Sequence, residues 1–468
     1  MLRMREAVPT SQSKRGTRVI NVLYIAIEFA PVNTTGNYRS TAFVKYLPEF
    51  GVRPIVITLD IQSALKLFPK AFCDDSLLQD LHKDISIVRI PTNDNSKEPL
   101  GRAHDFFRMI SRGVGDDFSK LWKRNLFSKI PELVEKHKPR LLIASLPPFG
   151  AGPLAAEVSK KFNLPLILDM RDGWTFWNPA PYLTPINYFR ERKILRKTFK
   201  QAKTILGVTQ QLNDSFRQFN PDIESEKFHV IPNGFDSAQF NGETINIPPF
   251  STQQYVIGYV GSFYYFPKYR QEMLKPWWKR KGHKKFYFAP RKEDYLYRTP
   301  YFLFSALNEL FKRRPDLRNV IKIKFVGNKP NWMDEMVKSF GFQDLCFFYG
   351  NLARSEALEV QKSFDAFLNT TTRVDGGEDY SLNAKLFDYI LMKKPILGFV
   401  VEGAAKNFLE NCGLGFVFDP DNAQTSSFLL EKVINGGYTL KPNATYLNQF
   451  HRRYLTQQLA EIIKAQIN

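Results

Sequence analysis

Six consecutive residues, Asp169-Met-Arg-Asp-Gly-Trp174, bring two carboxyl groups, a guanidinium and an indole together directly after the apolar run Leu164 to Leu168. A guanidinium stays protonated at neutral pH, so Arg171 suits electrostatic and orienting work and cannot abstract a proton. Asp172 can accept from a substrate hydroxyl, and Trp174 offers a flat wall for stacking. The structural alternative is an Asp–Arg ion pair that only stabilises the loop. A second group comes later. Glu378 and Asp379 close the glycine-rich Asp375-Gly-Gly-Glu-Asp379, and Ser381 to Leu397 reads as a loop, an amphipathic helix and a buried strand, with Lys385 and Asp388 on the helix. A carboxylate held there accepts two hydrogen bonds at once, which suits a pair of neighbouring hydroxyls. A third group is the turn Ala30-Pro-Val-Asn-Thr-Thr-Gly-Asn-Tyr-Arg39, where Gly36 precedes a helix and backbone N–H groups favour an anion.

For these groups to meet, the chain must return them to one place. Apolar runs separated by helical stretches recur at Val19 to Ile27, Pro54 to Thr58, Arg140 to Ser145, Leu164 to Asp169, Thr204 to Val208 and Phe228 to Ile231. A second set follows at Tyr255 to Val260, Ile321 to Val326, Cys346 to Tyr349, Ala366 to Leu368, Pro395 to Val401 and Gly415 to Phe418. Continuous apolar strands alternating with helices imply parallel sheets covered on both faces. The fold class is therefore α/β, with two doubly wound domains, at 19–240 and 253–440. The aperiodic stretch Asn241 to Gln254 marks the boundary, 441–468 forms C-terminal helices, and 1–18 is a disordered lead-in. In open α/β sheets ligands bind beyond the C-terminal strand ends, where the first and third groups lie.

The 468 residues carry a net charge of +20, which calls for a negative partner: nucleic acid, anionic lipid or a phosphorylated substrate. Zinc-finger spacing and RNP-type aromatic runs are missing, so nucleic acid is not expected. No apolar run reaches the roughly 18 residues of a membrane span. The basic start lacks an apolar signal core, which points to a cytoplasmic location. Cys73, Cys346 and Cys412 are widely spaced, and are expected to be reduced and buried. Asp419-Pro-Asp421 reads as a turn, and no metal or other cofactor is expected.

Several of these stretches together resemble family 4 glycosyltransferases. The Lys385-Leu-Phe-Asp-Tyr389 helix before Lys394-Pro-Ile-Leu397 is similar to that family's donor-binding segment, and Ser145-Leu-Pro-Pro148 with Asp169 to Trp174 resembles elements of a subgroup that builds cell-surface polysaccharides. The resemblance implies a GT-B fold, two Rossmann-like domains facing a central cleft, with the nucleotide-sugar donor held mainly by the C-terminal one. It implies that Asp388 grips the ribose, that Gly36 faces the donor phosphates and sugar, and that Arg171 stands where relatives carry a histidine near the transferring sugar. Asp172 and Trp174 then meet the acceptor. Gly258-Tyr-Val-Gly-Ser262 is similar to the strand and loop leading to the diphosphate. Relatives have arginine where this chain has Ser262, so the cationic role passes to Lys268 or Lys385. Relatives place a glutamate eight residues before the ribose acid. Tyr380 occupies that position, which leaves Glu378 or Asp379 to accept from a sugar hydroxyl. The implied reaction is retaining, metal-independent transfer to a glycan or lipid-linked acceptor. The alternatives are an inverting transferase or sugar-nucleotide epimerase, which would need a carboxylate or histidine base, and a catalytically silent sugar-nucleotide-binding scaffold.

Two segments suggest a surface function. Residues 264–298 hold eleven Lys/Arg, three Asp/Glu and eleven aromatics where relatives have a short loop. Cations mixed with Trp and Tyr suit an anionic membrane surface, against the alternative of a solvated loop with a small aromatic core. Tyr188 to Lys203 reads as a basic helix that buries Tyr188, Leu195, Phe199 and Ala202 and presents its charge outward, to solvent or to the inner face of the cell membrane.

Overall fold

The computed structural model describes residues 19–34, 36–93, 117–176, 179–236, 239–251, 254–352 and 354–467, so the lead-in expected at 1–18 lies outside it. Seven strands form the first sheet: β1 (Ile20–Ala26), β2 (Val52–Leu59), β3 (Ser86–Ile90), β4 (Leu141–Leu146), β5 (Leu166–Met170), β6 (Thr204–Gly207) and β7 (Phe228–Val230). Their order is β3-β2-β1-β4-β5-β6-β7, and every pairing is parallel. All six residues of β4 and all five of β5 are buried, as helices on both faces require. The strand that went unread, β3, is an edge strand of mostly half-buried residues.

A short strand β8 (Ile245–Ile247) precedes the second sheet, built from β9 (Tyr255–Val260), β11 (Ile321–Val326), β12 (Cys346–Phe348), β13 (Ala366–Thr370), β15 (Ile396–Phe399) and β16 (Gly415–Phe418). The order is β12-β11-β9-β13-β15-β16, again parallel. Three short strands complete the set: β10 (Glu293–Asp294) and β14 (Arg373–Val374) pair with each other, and β17 (Tyr438–Leu440) pairs with β8. Both sheets are doubly wound, and their strand order reverses between β1 and β4 and between β9 and β13. Those reversals place the Gly36 turn, the loop after β4, the Gly261-Ser262 turn and the loop after β13 at the crevices.

The C-terminal helix Arg452–Ala465 buries Leu455, Leu459, Ala460 and Ile463 in one cluster with Val22, Tyr24, Ile143 and Ile167 of the first sheet. The tail of the chain thus completes the N-terminal core. Residues 264–298 are packed into short helices instead of a solvated loop. Arg280 is their keystone: it is buried and donates to the carbonyls of Met273, Lys275 and Tyr287. Arg270 clasps Asp294 at 2.7 and 2.6 Å. The segment spans both halves of the molecule, because Phe288 and Tyr182 exchange backbone hydrogen bonds while β10 pairs with β14. Of the cysteines, Cys346 and Cys412 are buried, but Cys73 is exposed on the loop that bridges to Val32, a correction to the expectation for all three.

Candidate active site between the two sheets

The N-terminal wall begins where β1 ends. Glu28 follows that strand, and its carboxylate accepts from Arg171 Nη2 at 2.7 Å and from the Gly36 N–H at 3.1 Å. Arg171 also donates from Nε to the Leu146 carbonyl at 3.3 Å and from Nη2 to the Pro147 carbonyl. A Cβ at Gly36 would lie 1.6 Å from Arg171 Nη1, so the glycine is demanded by the close approach of the guanidinium; its backbone is ordinary helical, with φ of −78°. The N–H expected to face a donor phosphate is thus donated to Glu28. Glu28 is the residue that the sequence concealed, since a lone glutamate after a strand carries no pattern.

Deeper in the same wall, Arg39 and Asp169 form a fully buried pair at 2.8 Å. Arg39 also donates to the carbonyls of Ile231 and Pro232, and Ser145 Oγ donates to Asp169 at 3.0 Å. Three strand ends are therefore tied at one point. Trp174 is not available as a stacking wall: it is 2 % exposed, lies parallel to Phe149 at 5.3 Å, and donates its indole N–H to Glu191 at 3.1 Å. An indole surrounded by apolar neighbours packs as core. Asp172 is half-buried, and no group among the described residues hydrogen-bonds its carboxylate. Burial raises its pKa, opposed by the charges of Arg171 and Arg298.

The C-terminal wall is built differently. Lys385 opens the helix Lys385–Leu391, whose Leu386, Phe387, Tyr389 and Ile390 are buried. Its Nζ sits 3.5 Å over the ring of Tyr259. Burial, followed by the nearby charge of Arg298, pushes the Lys385 pKa well below the usual lysine range. Arg298 ends the 264–298 segment, lies over the Tyr264 ring at 5.8 Å and donates to Asn383 Oδ1 at 3.1 Å. Neither cation makes an ion pair among the described residues. Sequence reading assigned the cation to Lys268 or Lys385 and overlooked Arg298, which its distance from the motifs disguised. Lys268 is exposed on the helix Pro267–Leu274. Ser262 is exposed, and its carbonyl accepts from the Tyr259 hydroxyl at 3.1 Å. Gly261 and Gly327, with φ of +121° and +129°, end β9 and β11 face to face; a Cβ at Gly327 would strike the Gly261 carbonyl at 2.4 Å.

Asp388 is half-buried on the same helix as Lys385. Of the two loop carboxylates, Glu378 is exposed whereas Asp379 is 2 % exposed and accepts from the N–H groups of Thr372 and Ser381, each at 3.1 Å. Asp379 therefore shapes the loop; burial raises its pKa, opposed first by the charge of Arg298. Tyr380, in the position where an acid was sought, is a latch between the domains. Its ring meets Phe176 edge-on at 5.6 Å, its carbonyl accepts from the Thr209 hydroxyl at 2.8 Å, and Arg291 lies over both rings. Asp421 ties Arg373 at 2.6 Å and also accepts from the Tyr297 hydroxyl, so the Asp419–Asp421 turn is an anchor. No cluster of three His, Cys, Asp or Glu suited to a metal ion occurs among the described residues.

Residues 41–239 match the model of the family described as Glycosyltransferase Family 4. No curated protein matches the chain by sequence. Among solved structures, HepE of Anabaena, in complex with UDP, superposes with a TM-score of 0.55 at 14% identity, over 95% of this chain and 100% of its own. Sucrose-phosphate synthase of Thermosynechococcus elongatus gives 0.54 at 10% identity, over 96% of this chain and 99% of its own. The likeness is one of fold, and together with the two sheets it makes this a GT-B protein. Residues 41–239 thus carry the likeness to glycosyltransferase family 4.

Proposed function

We propose that the protein moves a sugar from a nucleotide-sugar donor to a hydroxyl of a glycan or lipid-linked acceptor, with retention of configuration and without a metal ion. The observation that carries this reading is the Arg298–Lys385 pair: two part-buried cations at the crevice of the second sheet, with no carboxylate among the described residues bonded to either. Burial disfavours the charge of Lys385 until an anion joins it, and a nucleoside diphosphate supplies one. As the bond from the sugar C1 to the diphosphate breaks, negative charge grows on the departing oxygen, and the two cations stabilise it. The acceptor oxygen bonds to C1 and its proton passes to the leaving diphosphate. Asp388 accepts from the ribose hydroxyls. Arg171, held by Glu28, orients the sugar from the opposite wall, and Asp172 accepts from the incoming hydroxyl. The test is release of nucleoside diphosphate from a panel of nucleotide sugars, with the anomeric configuration of the product read by NMR. Failure to release diphosphate from any donor would leave a scaffold; an inverted product would reject retention, and loss of turnover in EDTA would reject metal independence.

The second part of the proposal is docking on an anionic membrane. No helix among the described residues is long and apolar enough to cross a bilayer. Leu274, Trp277, Trp278 and Phe286 are each more than 60 % exposed beside Lys279, Lys281, Lys284 and Lys285. Through Phe288, 6.2 Å from Phe189, this tip adjoins the exposed Ile186 and Phe189 of the basic helix Pro185–Gln201. Neutralising those four lysines should remove about 1 kcal/mol of attraction each and release the protein from anionic liposomes. Arg280 is left intact because it holds the segment together. Retained co-sedimentation in the fourfold variant would refute the docking.

A further inference from the structure

A second crevice opens where the two domains and the C-terminal helices meet. Its volume is about 370 Å³, within the range of small-ligand sites. None of Arg171, Arg298, Lys385 or Asp388 lines it, and one wall is Thr209, whose hydroxyl closes onto the Tyr380 carbonyl. In a chain of net charge +20, no Lys, Arg, Asp or Glu among the described residues lines this crevice. What lines it instead is a set of amides and rings. Gln211 comes from the N-terminal domain, Asn407 from the helix Ala404–Cys412 of the second domain, and Gln458 from the returning C-terminal helix. The side-chain amides of these three make no hydrogen bond within the described residues. Tyr446 and Tyr454 supply the rings, Tyr454 being 46 % exposed, while Phe408 is core beneath them at 1 % exposed.

We infer that this crevice binds a neutral saccharide of about disaccharide size. A charged ligand would find no counter-charge there, and an apolar one would strip water from three amides without replacing their hydrogen bonds. A saccharide has neither defect. Each amide offers both acceptor and donors, matching hydroxyls that also do both, and the aromatic rings accept the apolar C–H face of a sugar ring. Because the three amides come from three separate parts of the chain, a bound saccharide bridges the two domains and the tail. The inference stands apart from the transfer reading, since it uses none of the residues of the cationic cleft.

The experiment is saturation-transfer NMR on the full chain with maltose, cellobiose, lactose and N,N′-diacetylchitobiose at millimolar concentration. The expected result is transfer to at least one of the four, with affinity falling by about tenfold in the double variant Asn407→Ala/Gln458→Ala, as two lost hydrogen bonds imply. Should that variant melt early, Tyr454→Ala, at an exposed ring, replaces it and is read the same way. Silence with all four disaccharides overturns the inference. So does transfer that survives at the crevice variants but disappears in Lys385→Met, which would place the sugar in the cationic cleft.

Discussion

The two walls of the cleft are both rich in charge and opposite in how they use it. On the N-terminal side each cation has a carboxylate within bonding distance, Arg39 with Asp169 and Arg171 with Glu28, and their remaining N–H groups are largely occupied by carbonyls. On the C-terminal side Arg298 and Lys385 lie near each other without such a partner among the described residues. A wall that is already neutral can hold strand ends in place and orient a ligand. On the second wall the buried charge of Lys385 is held at a cost, which is recovered when an anion binds. Stability should therefore reside on the first wall and nucleotide affinity on the second.

The largest expected effect tests the first wall. Asp169→Ala leaves Arg39 charged, buried and unpaired, and should lower the unfolding free energy by about 3–5 kcal/mol in denaturant titrations. A loss within error would mean that the pair contributes nothing to the fold. On the second wall, Arg298→Ala should weaken nucleoside diphosphate binding by about 1.5–3 kcal/mol in calorimetry, the scale of hydrogen bonds to charged groups, with little change for the nucleoside alone. Equal losses for diphosphate and nucleoside would show that Arg298 supports the loop and not the phosphates. Asp388→Asn should cost a similar amount, but for the nucleoside as well, because the ribose is what it holds.

Lys385→Met sharpens the contrast through its sign. Lysine with a folded pKa below the ordinary one binds fewer protons in the native state than in the unfolded chain. Its penalty is full below the folded pKa and fades as the pH rises towards the ordinary lysine value. Methionine removes that penalty, so the variant should be more stable near neutrality by roughly 0.5–2 kcal/mol while losing diphosphate affinity. A lower melting temperature would show that the cation–π contact with Tyr259 outweighs burial. The smallest effect is expected at Asp172, whose carboxyl pKa is raised by burial. The cost of ionising it is absent below the ordinary carboxylate range and complete above the folded value, so Asp172→Asn should stabilise the protein at neutral pH and change nothing in strong acid. Stability curves for the two proteins that stay parallel at every pH would contradict this.

Much of the architecture was legible beforehand, because the two sheets consist of continuous apolar runs and a parallel strand buried on both faces has no other composition available. The helix bearing Lys385 and Asp388 was equally plain from its amphipathic spacing. Local pattern failed for β3, which is half exposed at an edge, and for β8 and β17, which exist only because each meets the other across the domain boundary. The same limit governed the site. The sequence by itself determined which residue types reach the crevices, since strand ends and glycine turns are local matters. Only the tertiary structure decided which of them remain available to a ligand. It assigned Trp174 to the core, spent the Gly36 amide on Glu28, enclosed Asp379 in its own loop and delivered Arg298 from the far end of a segment read as surface. Whether a charge is neutralised depends on neighbours within a few ångströms, and those come from distant stretches of chain that no spacing rule relates.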